Sequence, residues 1–163
     1  MKYQEIEGNL ITTALEGKFN VIAHGCNCFC LQRAGIAKQM AEIFNTDDLM
    51  WEDEKFKGRI NKLGMIDYQR IEISSGLIVD KKEPEEGTLT VVNAYTQYRP
   101  GKNLDCEALI LCLRKMNHEF KGKHIGLPQI GCGIAGGDWD IVKEIIKKEL
   151  KNCDVTIVVY KNS

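Results

Sequence analysis

Residues Gly131-Cys132-Gly133-Ile134-Ala135-Gly136-Gly137 follow a short apolar run from His124 to Ile130 and precede a helical pattern that starts near Asp138. A strand, a glycine loop and a helix in that order constrain the fold more than any other stretch, because the chain must turn tightly between two buried elements. With no Cβ in the way, the backbone can approach an anion closely. Successive N–H groups and the helix N-terminus then supply partial positive charge. The stretch reads as a phosphate cradle or, with no ligand to hold, as an ordinary tight connection.

A second stretch has the same form. Phe19 to Asn27 reads as a buried strand, and after a loop the residues from Ala34 to Phe44 carry helical spacing. Two such loops can hold one diphosphate between them.

The remaining pattern places these loops in a larger frame. A short strand is predicted over 1–6, a helical turn near 11–16 and the buried strand over 19–25. The charged stretch 47–62 reads as one or two helices anchored by Leu49, Met50, Trp51 and Phe56. Residues 65–73 alternate apolar and polar as a half-buried strand does, Leu77-Ile78-Val79 extends that region, and 80–87 is a charged turn. Thr88 to Tyr95 is a strong strand, and the loop from Thr96 to Asn103 is a candidate wall of the site. Leu104, Ala108, Leu111, Cys112, Met116 and Phe120 recur at helical spacing up to a stop near Gly122. Asp138 is placed to cap a last helix with Val142, Ile145, Ile146 and Leu150 inward, and Val155 to Tyr160 closes the sheet. Strands alternating with helices predict an α/β fold, a three-layer α/β/α sandwich with a central mixed sheet.

Composition excludes several classes of function. The 163 residues, 44% of them hydrophobic, suit one domain with a substantial core. With 22 basic and 23 acidic side chains well mixed, a formal charge of −1 leaves no electrostatic footprint for long nucleic acid. No run approaches the roughly 18 apolar residues of a membrane span, and the first residues lack a signal-peptide pattern, so the expected location is cytoplasmic. Seven cysteines, an odd number scattered through apolar segments, fit free thiols better than a disulfide framework.

Three motifs have competing readings. Gly131, Gly133 and Gly136 satisfy the dinucleotide fingerprint, but only one strand follows them and Asp154 precedes it, whereas the fingerprint opens a domain with several strands to come. Cys26, Cys28 and Cys30 alternate with His24, yet that spacing lacks the two-residue reach that wraps a tetrahedral ion, so no metal site is expected. As residue types alone, His24 reads as a core histidine hydrogen-bonded at a strand end and Asn27 as a loop cap.

Gly8-Asn9-Leu10-Ile11, the strand end His24-Gly25-Cys26-Asn27, Gly35-Ile36-Ala37, the run from Pro128 to Ile134, and Trp139 occur in an order that resembles the macrodomain family of ADP-ribose binders over nearly the whole chain. The chain looks most like the small stand-alone branch that includes ADP-ribose-1″-phosphate phosphatases and terminal ADP-ribose protein glycohydrolases. The resemblance implies a single macrodomain over 1–163 that binds ADP-ribose or ADP-ribose-1″-phosphate and needs neither cofactor nor metal; the oligomeric state stays open, with a monomer favoured. It places Asn9 and Leu10 at the adenine end. Ala34, Gly35, Ile36 and Ala37, with Gln129, Gly131, Cys132, Gly133, Ile134 and Ala135, then lie along the diphosphate. His24 and Asn27 face the distal ribose. His24, Asn27 and Asp138 are the implied catalytic residues, His24 donating a proton or orienting water, with Asp105 as a weaker candidate.

Departures from the family pattern limit what carries over. Asn9 stands where an aspartate usually accepts from the adenine amino group. Leu31-Gln32-Arg33-Ala34 occupy a loop that usually carries another glycine, so Arg33 either pairs with a phosphate or partly obstructs the loop. Gln97 and Ala135 fall where the glycohydrolase branch uses a lysine and an aspartate. Lys102 or Asp138 would substitute only if their loops fold inward. The preferred expectation is hydrolysis of the terminal phosphate of ADP-ribose-1″-phosphate. The alternatives are a non-catalytic ADP-ribose-binding module and an ADP-ribosyl hydrolase acting on modified protein or nucleic acid.

Overall fold

The computed structural model describes residues 2–47, 58–74, 77–81 and 88–160. Its strands are β1 (Tyr3–Gly8), β2 (Val21–Asn27), β3 (Ile66–Ser74), β4 (Leu77–Lys81), β5 (Thr88–Gln97), β6 (His124–Leu127) and β7 (Asp154–Tyr160). Its helices are α1 (Leu10–Leu15), α2 (Gly35–Phe44), α3 (Cys106–Glu119) and α4 (Trp139–Glu149), with a 3₁₀ turn at Ile60–Lys62.

The strands form one sheet in the order β1-β7-β6-β2-β5-β3-β4. Pairing is parallel from β1 through β5 and antiparallel for β5 with β3 and β3 with β4. This is the mixed sheet that the alternation of strands and helices predicts. Central parallel strands are covered on both faces, which is why β2 and β5 read as near-continuous apolar runs. In β2, Val21 and Ala23 face a core with Leu109, Leu113 and Met116 of α3 and Val142 and Ile146 of α4. Ile22 faces the opposite core with Leu10 and Ala14 of α1 and Met40 and Phe44 of α2. The period of two along the strand thus builds the three layers.

Some boundaries differ from expectation. β2 continues past Gly25 to Asn27, with a bulge between Cys26 and Asn27. Leu77–Lys81 turns back as an antiparallel partner of β3 instead of extending it. The anchors Leu49, Met50, Trp51 and Phe56, and most of the charged turn, lie outside the described residues. Among the described residues no helix is long and apolar enough to cross a membrane.

Among the described residues, side chains cap three of the four helices. Asn9 Oδ1 accepts from Thr12 N–H at 3.0 Å, Asp105 Oδ1 from Ala108 N–H at 3.0 Å, and Asp138 Oδ1 from Asp140 N–H at 3.0 Å. Each satisfies one of the donors a helix leaves open at its start. Ala34 holds the N-cap position of α2 and has no side chain able to accept a hydrogen bond there. Asp105→Ala is expected to lower stability by about 1 kcal/mol, or about 2–4 °C in Tm for a chain of this size, with Asp105→Asn keeping most of it. Thermal unfolding of the two variants checks this.

Candidate functional site

The chain leaves β2 toward α2 on one face of the sheet and leaves β6 toward α4 on the other. Adjacent parallel strands whose continuations part in this way open a crevice at their carboxyl ends, where ligands of open α/β sheets bind. The crevice is a cleft of about 650 Å³, within the usual size for a small-ligand site.

Its first wall is the loop after β2 and the start of α2. Asn27 shapes this loop: its amide nitrogen donates to Leu31 O at 3.0 Å and its amide oxygen accepts from Leu31 N–H at 3.3 Å. Gln32 tethers the loop from below by accepting from the Thr46 hydroxyl at 2.6 Å. Gly35 opens α2 at φ +59°, a left-handed conformation that a side chain strains. Because Ala34 provides no cap, the first-turn amides of Gly35, Ile36 and Ala37 face the cleft with no side-chain acceptor.

The second wall is the glycine loop. Cys132 N–H donates to Gln129 O, Gly136 N–H to Gly133 O and Gly137 N–H to Gly131 O, which folds the loop into consecutive turns. The amides of Gly131, Gly133, Ile134 and Ala135 find no acceptor among the described residues, and all four residues line the cleft. The Ile134 side chain, 60% exposed, reaches across to the first wall, where a Cβ on Gly35 would lie 3.4 Å from its Cδ1. Two sets of open amides therefore border one cleft, and backbone of this kind can hold an anion.

The third wall is the loop after β5. Gln97 Nε2 donates to Arg99 O at 2.7 Å and Gly101 O at 2.9 Å, and Thr96, Gln97, Pro100 and Gly101 line the cleft. At the opposite end Asn9, Leu10, Ile11, Val158 and Tyr160 form a largely apolar slot, with the Tyr160 ring 63% exposed.

Most sequence-predicted binding residues meet in this cleft: Asn9, Leu10, Asn27, Ala34, Gly35, Ile36, Ala37, Gln129, Gly131, Cys132, Gly133, Ile134 and Ala135. Three implied catalytic or orienting groups do not. Asp105 and Asp138 are helix caps and lie off the lining.

His24 is the third. β2 runs three residues beyond it, about 10 Å of extended strand, so His24 sits below the cleft floor and is fully buried. Asn93 donates its amide to Thr46 O and to Asp67 Oδ1, so its oxygen accepts from His24 Nε2–H at 2.7 Å and His24 Nδ1 is left unpaired. Tyr95 completes the cluster, donating to Asp67 Oδ2 at 2.6 Å. Burial lowers the His24 pKa from its ordinary 6.5 to about 4, partly opposed by the Asn93 bond. The expectation that His24 faces the distal ribose is corrected accordingly: it is a neutral core histidine.

Chemistry on the lining is sparse. Arg33 is its one charged side chain among the described residues, and no Asp, Glu, His or Lys joins it. Cys132 is held toward Ile130 O, and burial raises its thiol to about 11. Cys26 is likewise pushed up by burial, so both thiols stay protonated. All seven cysteines are free, and among the described residues no cluster of three His, Cys, Asp or Glu is placed to hold a metal ion.

Sequence reasoning missed Tyr160 and Val158, although both end a strand whose carboxyl edge faces the ligand side of a parallel sheet. It named the loop after β5 as a wall without assigning Thr96 or Gln97 a role in binding.

An α/β sandwich with a crevice at the switch point of its sheet has the architecture of the open α/β ligand-binding folds. More narrowly, its fold is that of the macrodomains. The chain superimposes over 98% of its length on the macrodomain of Thermus aquaticus DarG, with 98% of that chain covered, a TM-score of 0.65 and 19% identity. It also matches Thermosipho africanus DarTG, solved in complex with ADP-ribose, with a TM-score of 0.76, 15% identity and 98% of its length, spanning 42% of that longer chain. In sequence it is 31% identical to an uncharacterized 17.5 kDa protein of bacteriophage T4 encoded between tk and vs, over 96% of this chain and 95% of that one. No protein-family model matches the chain. The chain thus has the macrodomain fold and belongs to the same family as this phage protein.

A group whose folded pKa is depressed costs stability as pH falls, because the unfolded chain takes up the proton first. Between pH 6.5 and about 4, protonation of unfolded His24 is expected to remove about 2–3 kcal/mol by pH 4.5. Urea unfolding at pH 7 and pH 4.5 measures the loss, and His24→Gln is expected to flatten the profile across that window.

Proposed function

We propose that the cleft binds ADP-ribose or a close derivative such as ADP-ribose-1″-phosphate. The observation that carries this reading is the uncapped start of α2 facing the open amides of Gly131, Gly133, Ile134 and Ala135 across one cleft. A diphosphate is the ligand group that satisfies both rows at once. The slot formed by Leu10, Ile11, Val158 and Tyr160 suits an adenine stacked on the tyrosine ring. Asn9 borders that slot; its oxygen caps α1, which leaves a second lone pair for an amino group. The complex of Thermosipho DarTG with ADP-ribose supports the ligand class.

Binding without turnover is the reading the geometry supports best. Proton transfer needs a titratable side chain within hydrogen-bond reach of the reacting atoms. The lining has none tuned near neutrality: His24 is walled off, Asp105 and Asp138 cap helices, and Gln97 and Ala135 occupy the wall without a lysine or a carboxylate. Removal of ADP-ribose from an acceptor by the lysine and aspartate route is therefore not part of this proposal. One observation favours a second reading, hydrolysis of a terminal phosphate: Arg33 gives the cleft lining a cation that would offset the charge of a third phosphate. In that case the proton comes from water.

Phosphorus NMR of ADP-ribose-1″-phosphate with the purified protein tests both. The diphosphate resonances are expected to shift or broaden without release of free phosphate. Gly35→Val is expected to weaken binding at least ten-fold, since a branched side chain is strained at φ +59° and meets Ile134. Free phosphate that appears with the protein and vanishes in Arg33→Ala establishes the second reading. Unperturbed resonances overturn the ligand assignment.

A further inference from the structure

The end of α2 that borders the cleft is the end with the least apolar packing. The buried side chains of this helix, Met40 and Phe44, lie toward its far end, while Gly35 is exposed and Ile36 and Ala37 are half-buried. Apolar burial therefore fixes α2 by its far end. The first turn, whose open amides border the cleft, has to be placed by other means.

Side-chain amides of the preceding loop supply them. Asn27 holds Leu31 through both halves of its amide. At the next residue, Gln32 Oε1 accepts from the Thr46 hydroxyl at 2.6 Å, and Gln32 Nε2 lies 4.0 Å from Cys26 Sγ, to which it donates. Thr46 is a fixed point. It is buried directly after Asn45, the left-handed residue that ends α2, and its carbonyl accepts from Asn93 Nδ2 at 2.9 Å. Asn93 belongs to β5 and also donates to Asp67 Oδ1 of β3 at 2.8 Å. The bond between Gln32 and Thr46 thus ties the lead into α2 to the turn out of it, and through that turn to the sheet. Beyond Gln32 only the exposed residues Arg33 and Ala34 precede the left-handed Gly35.

We infer that Gln32 is a positioning residue for the anion site, and that the bond it accepts from Thr46 holds Arg33 and the amides of Gly35, Ile36 and Ala37 at the cleft before a ligand arrives. The inference rests on the ADP-ribose reading of the cleft. Gln32 is not part of the lining, whereas Leu31 and Arg33 on either side of it are, so it acts through the loop and not by touching the ligand. Backbone donors that must be ordered on binding cost conformational entropy, and a loop ordered in advance avoids that cost. The cleft relies on such donors, and it therefore depends on whatever holds them in place.

Titration calorimetry with ADP-ribose, together with amide hydrogen exchange of the ligand-free protein, tests this on the wild type, Gln32→Ala, Thr46→Val, Thr46→Ser and the double variant Gln32→Ala/Thr46→Val. Each of Gln32→Ala and Thr46→Val is expected to weaken ADP-ribose binding about five-fold. The double variant is expected to lose no more than either, because both changes remove the same bond. Thr46→Ser keeps the hydroxyl and is expected to bind as the wild type does. In ligand-free Gln32→Ala, exchange is expected to quicken at Leu31 and Lys38, whose N–H groups bond Asn27 Oδ1 and Ala34 O. It is expected to stay unchanged at Asn45, which bonds Ala41 O at the far end of the helix. Unchanged affinity in both single variants overturns the inference, and so do losses that add in the double variant. Exchange that quickens equally at Asn45 marks a general structural role and overturns it too. Wild-type protein that does not bind ADP-ribose overturns the reading of the cleft, and this inference with it.

Discussion

The parallel hydrogen bonding of β2 between β5 and β6 is the interaction on which the rest of the molecule depends. It brings the carboxyl ends of three strands side by side, and their continuations cross to opposite faces of the sheet. The loops after β2, β6 and β5 then have nowhere to meet except across a crevice. Both cores serve this arrangement. The α3 and α4 layer fixes the face from which the glycine loop arrives, and the α1 and α2 layer holds the first loop, with Gln32 and Thr46 bonded beneath it.

Within that frame, the cleft offers a ligand backbone more than side chains. Polar side chains around the cleft are engaged largely in building its walls: Asn27 and Gln97 bend loops, and Asn9, Asp105 and Asp138 cap helices. What remains for an anion is the amides, which carry partial positive charge without a lysine to titrate or a metal to recruit. Such a surface suits an anion of fixed shape and offers little means of moving protons. This division of labour is why the geometry supports binding more strongly than turnover, and why a histidine one strand pitch too deep changes the functional reading.

The architecture was legible in the sequence because its signals are local and repeated. Apolar runs at 88–95, 124–127 and 155–160 mark covered strands, and the glycine loop announces its own open amides. The backbone portion of the site followed from Gly35 and Gly131 to Ala135, whose place in the cleft depends only on what precedes and follows them. Side-chain roles were harder to read. Read by residue type, His24 is a core histidine, and the family resemblance moves it to the distal ribose; β2 continues past it and buries it against Asn93. Tyr160 ends the last strand some 25 residues after the glycine loop, and nothing in its immediate neighbours tells that β7 lies next to β6. Thr96 and Gln97 were visible as a loop, but which of them is engaged by the fold depends on hydrogen bonds that no spacing encodes.

The uncapped start of α2 has a further consequence. A helix that begins with unsatisfied donors is held in its first turn by whatever occupies the cleft, so part of the cohesion of this layer is supplied from outside the chain. Ligand occupancy and folding are then thermodynamically linked, by RT ln(1 + [L]/Kd) for a ligand that binds only the folded state. With the cleft empty, α2 and the loop that leads into it are the region expected to open first. On the proposed reading, the protein's persistence in a cell, and its susceptibility to proteolysis at that loop, would rise and fall with the supply of its ligand.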